Sequence, residues 1–459
     1  MQDRLLTLLR KYNVAGPRYT SYPTVPAWVE GLKPEDYRAS LRSLKAGETL
    51  SLYFHLPFCE KLCHFCGCMQ VITSDHSRSR PYVNRVLAEV DRVAAALPSD
   101  VGEVRQIHFG GGTPNFLQPE ELSEIAAAIR ESFGVSAAAE WAIEMHPRTS
   151  TPAFCENLAK LGFNRISLGV QDFDPKVQAL INRFQTYEMT AEMVTLLRRL
   201  GFDSFNFDLI YGLPGQGMAE WRRTLAQVLE LRPNRLAVYS YAHVPWKSPV
   251  QRSFKDSDLP PPELKLELFK LAYQTFLASG YRSIGMDHFA LAEDELSRAS
   301  EDGSLHRNFM GYSTKADAHQ IGFGVSAISF VGGNYFQNLK ELPAYEAAID
   351  SGELASFRGF LLSRDDLIRR DLVTRIMCLG RVDTADFGRK WGLVFDEYFA
   401  EDLKSLEGLA GDGLVEVSPR ALTVKGEGFL FLRNIAMSFD RYLPAIQGQA
   451  KNPTFSKTV

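Results

Sequence analysis

Apolar residues along this chain follow two rhythms that take turns. Short runs rich in β-branched and aromatic residues predict strands: LSLYFHL (50–56), VRQIHF (104–109), WAIEM (141–145), RISLGV (165–170), SFNFDLI (204–210) and RLAVYSY (235–241). Between them, stretches such as RPYVNRVLAEVDRVAAAL, PEELSEIAAAIRESF, TPAFCENLAKLGF and TAEMVTLLRRLGF repeat apolar positions every three or four residues, as helices packed on one face do. Gly162 and Gly201 stand where two of these helices end, as C-caps would. Strand–helix units in succession predict a parallel sheet whose right-handed crossovers cover one face. Six such units are fewer than the eight of a closed barrel. The expected fold class is therefore α/β, an open partial (β/α)6 barrel, with a flat doubly wound sheet as the alternative.

The exceptions to this rhythm gather at the C-terminal ends of the strands, the rim where parallel α/β folds bind ligands. Cysteines follow the first strand, GGGTP (110–114) the second and Glu144-Met145-His146-Pro147-Arg148 the third. Gln171 follows the fourth, Asp208 and YGLPGQ close the fifth, and YAHVP (241–245) closes the sixth. Past about residue 360 the texture becomes helical: RDDLIRRDLVTRIMCLG, FDEYFAEDLKSLEGLA and GEGFLFLRNIAMSFDRYL each read as an amphipathic helix. GLVEVSPRALTVKG (413–426) reads as a hairpin turning at Ser418-Pro419. The expected organisation is an N-terminal arm with helices over 1–48, a barrel with extensions over 49–356, and a mainly helical, winged-helix-like domain over 357–459.

Composition narrows the function classes. The 459 residues carry a net charge of −4, without the basic excess of a nucleic-acid binder, so the C-terminal domain is expected to act as a lid or docking element. MQDRLLTLLRKYNV is interrupted by Asp3, Arg4, Arg10 and Lys11, and no run of 18 apolar residues occurs, so neither a signal peptide nor a membrane span is expected. A cytoplasmic protein with reduced thiols is the expectation. Cys155 and Cys378 stand alone in helical stretches and read as small buried hydrophobes.

Four of the six cysteines fall in HLPFCEKLCHFCGC. The spacing is C-x3-C-x2-C over Cys59, Cys63 and Cys66, with Cys68 two residues on. A zinc ribbon would present two distant C-x2-C pairs. One compact loop suits an iron–sulfur cluster. Three thiolates leave one iron of a four-iron cluster open for chemistry, whereas Cys68 as a fourth ligand would close it for electron transfer alone. The spacing leaves both possibilities standing.

With Phe65 before the third cysteine, C-x3-C-x-aromatic-C at the end of a first strand resembles the signature of the radical S-adenosylmethionine (SAM) superfamily. The resemblance implies that an open iron chelates SAM, whose reductive cleavage yields a 5′-deoxyadenosyl radical. It extends further. YNVAGPRYTSYPT (12–24), PFCEKLCHFCGC, HFGGGTPN, RISLGVQDFDP, INRFQ, FDLIYGLPGQ, YSYAHVP, IGMDHFA, LHRNFMGYST and GFGVSAIS resemble the oxygen-independent coproporphyrinogen III oxidases over nearly the whole chain. That family's reaction turns two propionates of coproporphyrinogen III into vinyl groups, giving protoporphyrinogen IX in haem biosynthesis.

The resemblance implies a [4Fe-4S] cluster on Cys59, Cys63 and Cys66, with Cys68 an additional residue of undefined role rather than a ligand. It implies Tyr53, Gly111, Glu144 and Ile328 around the SAM that reaches the cluster. Phe65, Gly112, Thr113, Gln171, Arg183, Asp208 and Ala242 would hold a second SAM. Its implied partners are coproporphyrinogen III and an electron donor such as a flavodoxin or ferredoxin, with monomer as the default state. Arg18, Arg148 and Arg307 are candidate partners for substrate carboxylates, and His288 and His306 candidate donors. Tyr19 and Tyr22 suggest an ordered arm over the site. Two departures from the family pattern stand out: His146 replaces a more usual acid or amide before Pro147, and Asn115 follows GGGTP. The rival readings are a haem chaperone of the same superfamily, which typically lacks a cysteine at position 68 and the long N-terminal arm, an iron–sulfur electron carrier, and a non-catalytic zinc protein.

Overall fold

Alternation in LSLYFHL decides how the first strand sits. Leu52, Phe54 and Leu56 are fully buried under the outer helices, while Ser51, Tyr53 and His55 turn to the other face of the sheet. The same division repeats along the sheet of this computed structural model, which describes residues 2–246, 248–449 and 454–458. The expected strands form as β1 (Leu50–Leu56), β2 (Val104–Gly111), β3 (Val135–Met145), β4 (Arg165–Gln171), β5 (Phe205–Tyr211) and β6 (Arg235–Ser240). All five neighbouring pairs are parallel, in chain order. The expected helices between them are Ser79–Ala96, Pro119–Ser132, Pro152–Lys160 and Tyr187–Arg199. Gly162 and Gly201 take φ of +79° and +94° just past the last two, as helix C-caps do.

The sheet is larger than the six units suggest. A further strand, β7 (His319–Phe323), lies parallel against β1, a pairing that HQIGF does not advertise because it is short and interrupted by Gly322. Ile328–Val331, Asn334–Asn338, Ser356–Phe360 and Val29–Glu30 extend that side antiparallel, and His288–Leu291 with Tyr281–Gly285 extend the other. The resulting thirteen-stranded sheet has two different ends and stays open.

Two hydrophobic cores follow. The larger runs from Tyr37 and Leu41 through the sheet to Tyr345 and Ile349. The second joins Leu5 and Leu8 of helix Gln2–Tyr12 to Ile368, Leu372, Ile376, Phe387, Phe399 and Phe439. Segment 1–48 therefore divides its packing: its first helix serves the C-terminal core, and helix Pro34–Arg42 serves the barrel core. Between them the arm is held at several points. Tyr19 and Tyr22 are buried, Tyr19 Oη donates to Asp440 Oδ2 at 3.0 Å, and Arg433 Nε donates to the Pro17 carbonyl at 2.8 Å.

The C-terminal hairpin forms as Val415–Ser418 and Ala421–Val424, with Arg381–Asp383 as a third strand. Two expected helices are broken. FDEYFAEDLKSLEGLA becomes Phe395–Tyr398, Ala400–Lys404 and Glu407–Gly411, because the chain turns at Phe399 to bury that ring against Phe387, Phe395 and Phe439. GEGFLFLRNIAMSFDRYL becomes a 3₁₀ turn (Gly426–Phe431), a short helix (Leu432–Met437) and the helix Leu443–Gln449. Among the described residues no helix is long and apolar enough to cross a membrane.

Candidate functional site

Past β1 the chain enters a two-residue strand, Phe58–Cys59, which pairs with Val71–Ile72 and closes the cysteine loop at its base. The loop is tied from outside. His64 N–H donates to the Ile181 carbonyl at 2.9 Å and Asn182 Nδ2 to the Leu62 carbonyl at 2.7 Å. Ser248 Oγ donates to the Cys66 carbonyl at 3.1 Å and Gln251 Nε2 to the Phe65 carbonyl at 3.2 Å. All six cysteines are free thiols, and Cys155 and Cys378 are buried far from this loop in sequence, as expected. Cys59, Cys63, Cys66 and Cys68 border one cavity of about 190 Å³. Burial pushes the Cys59 thiol up to about 11, against an opposing hydrogen bond with Thr113 Oγ1 at 3.2 Å. Cys66 is held below the ordinary thiol range by hydrogen bonds from the Cys68 side chain and backbone, and Cys68 is raised by the same contact. Arg183 Nη1 donates to Cys63 Sγ at 3.6 Å. The Cys66–Cys68 contact therefore sets the Cys66 thiol below and the Cys68 thiol above the ordinary range.

Gly110 to Gly112 bring backbone to the cavity wall with no room for side chains. A Cβ at Gly110 would meet Glu144 Oε1 at 2.8 Å, one at Gly111 the His55 ring at 2.7 Å, and one at Gly112 the Pro57 backbone at 2.6 Å. Gly111 also has φ of +109°. Across from them Glu144, on β3, receives the Gly111 N–H at 3.3 Å and lies 3.1 Å from His108 Nε2 on β2. Burial raises the Glu144 pKa, but the His108 hydrogen bond and charge and the Gly111 N–H outweigh it and leave it lowered. Asp208, on β5, has only Asn206 Nδ2 as a donor among the described residues, at 3.0 Å. Burial and the nearby Glu144 charge push Asp208 up to about 7. Beside it, Gln171 takes φ of +65° and leaves Oε1 buried without a partner, and Arg183 Nε is likewise unsatisfied.

The structure thus brings Phe65, Gly111, Gly112, Thr113, Glu144, Gln171, Arg183 and Asp208 onto the same cavity as the cysteines. Tyr53 lies beneath that wall on β1, its ring stacked 5.9 Å from His108 and its hydroxyl 3.2 Å from His55 Nδ1. Ala242, just past β6, and Ile328, at the start of its strand, do not border the cavity. Of the candidate carboxylate partners, Arg148 borders it, but Arg18 is engaged with Asp287 at 2.6 Å. Arg307 is buried against the Tyr312 ring. His288 is held by Asp287 at 2.8 Å, and burial lowers His306 to about 3. Reading by motif missed His108. Its position two residues before Gly110 on an alternating strand put it on the Glu144 face, the signal that would have found it.

A second cavity of about 110 Å³ lies behind Glu144 and Asp208, between Ala142, Ser167, Asn206 and Tyr239. Ion pairs floor it: Arg165–Glu140 at 2.8 Å, Arg235–Asp294 at 2.9 Å and Arg235–Glu295 at 2.8 Å.

Comparison with known proteins bears on this arrangement directly. Residues 53–228 match the model of the radical SAM superfamily, and residues 362–431 match that of the HemN C-terminal domain. An oxygen-independent coproporphyrinogen III oxidase of Pseudomonas aeruginosa is 44% identical over 96% of this chain and 96% of its own length. That of Escherichia coli is 43% identical over 99% and 98%. The chain belongs to the oxygen-independent coproporphyrinogen III oxidase family. The solved structure of the Escherichia coli protein, titled as a radical SAM enzyme, superposes with a TM-score of 0.91 at 42% identity, covering 95% of this chain and 98% of that one. The match establishes the α/β radical SAM fold with an open sheet and a helical C-terminal region.

Cluster and cofactor fit what is present. Four thiols in one loop offer soft ligands, Gly111 and Gly112 present bare backbone to the cavity they border, and Gln171 Oε1 and Arg183 Nε are buried groups without partners among the described residues.

Proposed function

We propose that this protein oxidatively decarboxylates two propionate side chains of coproporphyrinogen III to vinyl groups, giving protoporphyrinogen IX. The observation that carries the reading is the three-thiol loop facing a glycine cradle and Glu144 on one cavity, in a chain that aligns end to end with the family. Cys59, Cys63 and Cys66 would hold the [4Fe-4S] cluster, with Gly111 and Glu144 on the wall beside the SAM, Tyr53 beneath that wall and Ile328 outside the cavity lining. Bound there, the cluster and SAM would supply hydrogen-atom abstraction at a propionate β-carbon, after which each propionate would lose carbon dioxide and pass one electron to an external one-electron acceptor to become a vinyl group. The residues around that step orient it. Gly111 and Gly112 bring bare backbone to the cavity, ion pairs line the second cavity behind it, and the His108 hydrogen bond favours an ionised Glu144 able to accept hydroxyl donors. A second SAM against Gln171, Arg183 and Asp208 would satisfy the orphaned Gln171 and Arg183 atoms. An external flavodoxin or ferredoxin would supply electrons to a monomeric enzyme.

The test is anaerobic turnover of reconstituted, reduced protein with coproporphyrinogen III, products being oxidised and separated as porphyrins. Vinyl products that require SAM are expected. SAM cleavage without any vinyl product would overturn the assignment.

A further inference from the structure

The contacts assigned so far leave one wall of the main cavity unused, the outer corner formed by Glu60, Lys61, His146, Arg148 and Thr149. His146 is the residue there that departs from the family pattern. Its side chain is more than nine-tenths buried, and its backbone is pinned by Asn115, whose Oδ1 receives the His146 N–H at 3.0 Å and whose Nδ2 donates to the His146 carbonyl at 3.2 Å. The ring caps the 3₁₀ turn that follows: Nδ1 accepts the Arg148 N–H at 3.2 Å. An accepting Nδ1 fixes the proton of the neutral ring on Nε2. That N–H has no partner among the described residues, and the ring borders the cavity. Burial and the Arg183 and Arg148 charges hold the imidazole well below its ordinary range, so it stays a neutral donor.

Arg148 stands two residues on, also at the wall. Among the described residues it is ion-paired with Glu60 alone, at 3.8 Å, and Glu60 is shared with His76 Nε2 at 3.4 Å. Most of the guanidinium's donors are therefore free for another acceptor, and Lys61 adds a second cation to the corner. A ring N–H at the cavity wall beside a loosely paired arginine is a donor set for a carboxylate, which takes both through its two oxygens.

We propose that His146 Nε2–H and the Arg148 guanidinium form a carboxylate-binding corner that orients one ligand in this cavity. The carboxylate comes either from a propionate of the tetrapyrrole or from the methionyl end of a SAM molecule; the inference rests on the function proposed above.

Equilibrium binding to the cluster-loaded protein tests it, with fluorescent oxidised coproporphyrin III and SAM as separate probes. Charge-assisted hydrogen bonds predict that His146→Ala and Arg148→Ala each weaken one probe about ten- to hundredfold and leave the other unchanged. His146→Gln, whose amide Nε2 also donates, should restore most of the affinity. Weakened coproporphyrin III with unchanged binding of its tetramethyl ester assigns a propionate. Weakened SAM assigns the methionyl carboxylate. Two variants that keep their cluster and bind both probes within threefold of the parent would overturn the corner. A parent protein that binds neither probe would instead remove the functional reading, and the corner with it.

Discussion

Cys66 is hydrogen-bonded by both the side chain and the backbone N–H of Cys68, and the side-chain contact sorts the pair: it lowers the Cys66 thiol and raises that of Cys68. Cys68 is exposed and its thiol is raised, which makes it a weaker ligand than its neighbour Cys66. Cys68→Ser is therefore expected to keep about four irons per chain and the charge-transfer absorbance of the cluster, whereas Ser at Cys59, Cys63 or Cys66 should lose both. Iron analysis after anaerobic reconstitution checks this, and loss of the cluster in Cys68→Ser would contradict it. Gly111→Ala puts a Cβ 2.7 Å from the His55 ring at φ of +109°. It should cost about 1–3 kcal/mol in denaturant unfolding and weaken SAM binding. The rim glycines and the cysteines were legible in the sequence because their types announce their use. The His108–Glu144 pair was not, since the two come together only through the register of β2 against β3. Asn115 and His146 stood out separately as departures, and the fold shows them bonded to each other.

Helix Ser79–Ala96 is stitched to the sheet by one buried acid. Glu89 receives the Gly324 N–H at 2.7 Å, Asn338 Nδ2 at 2.7 Å and Tyr345 Oη at 2.8 Å, and Tyr82 on the same helix donates to the His55 carbonyl at 2.7 Å. Burial pushes Glu89 up to about 7 against those hydrogen bonds. A carboxylate raised in the fold adds stability below its unfolded pKa near 4.5, and that stability is lost as pH rises through about 7. The shift amounts to about 3 kcal/mol. Denaturant unfolding at pH 5 and pH 8 should show the parent losing more stability across the interval than Glu89→Gln does, and equal losses would refute the assignment. The six strands were readable because each is a short run rich in β-branched and aromatic residues. Strand β7 and the long C-terminal helices were misjudged for one reason: local pattern yields to packing, as when Phe399 leaves its helix to fill the second core.

Across the molecule, the first helix closes the last core. Leu5 and Leu8 pack into the C-terminal cluster, Lys11 Nζ and Tyr12 Oη both meet Asp412 Oδ2 at 2.6 Å, and the arm that follows runs back to the sheet through Tyr22 and Trp28. Leu8→Ala should cost about 2–5 kcal/mol and loosen the C-terminal core first. Hydrogen exchange should report that as faster exchange in helix Arg364–Leu379 with β1 to β6 unchanged. Uniform loss of protection would mean that the two cores unfold as one. The sequence showed the change of texture near residue 360 but not this return of the N-terminus, because an amphipathic helix does not name its partner.

The central claim is radical abstraction at a substrate propionate, and label transfer tests it most directly. Coproporphyrinogen III deuterated at the propionate β-carbons should give up deuterium to 5′-deoxyadenosine, with vinyl product forming in step, in anaerobic single-turnover mixtures analysed by mass spectrometry. Unlabelled 5′-deoxyadenosine accompanying vinyl product would contradict the account.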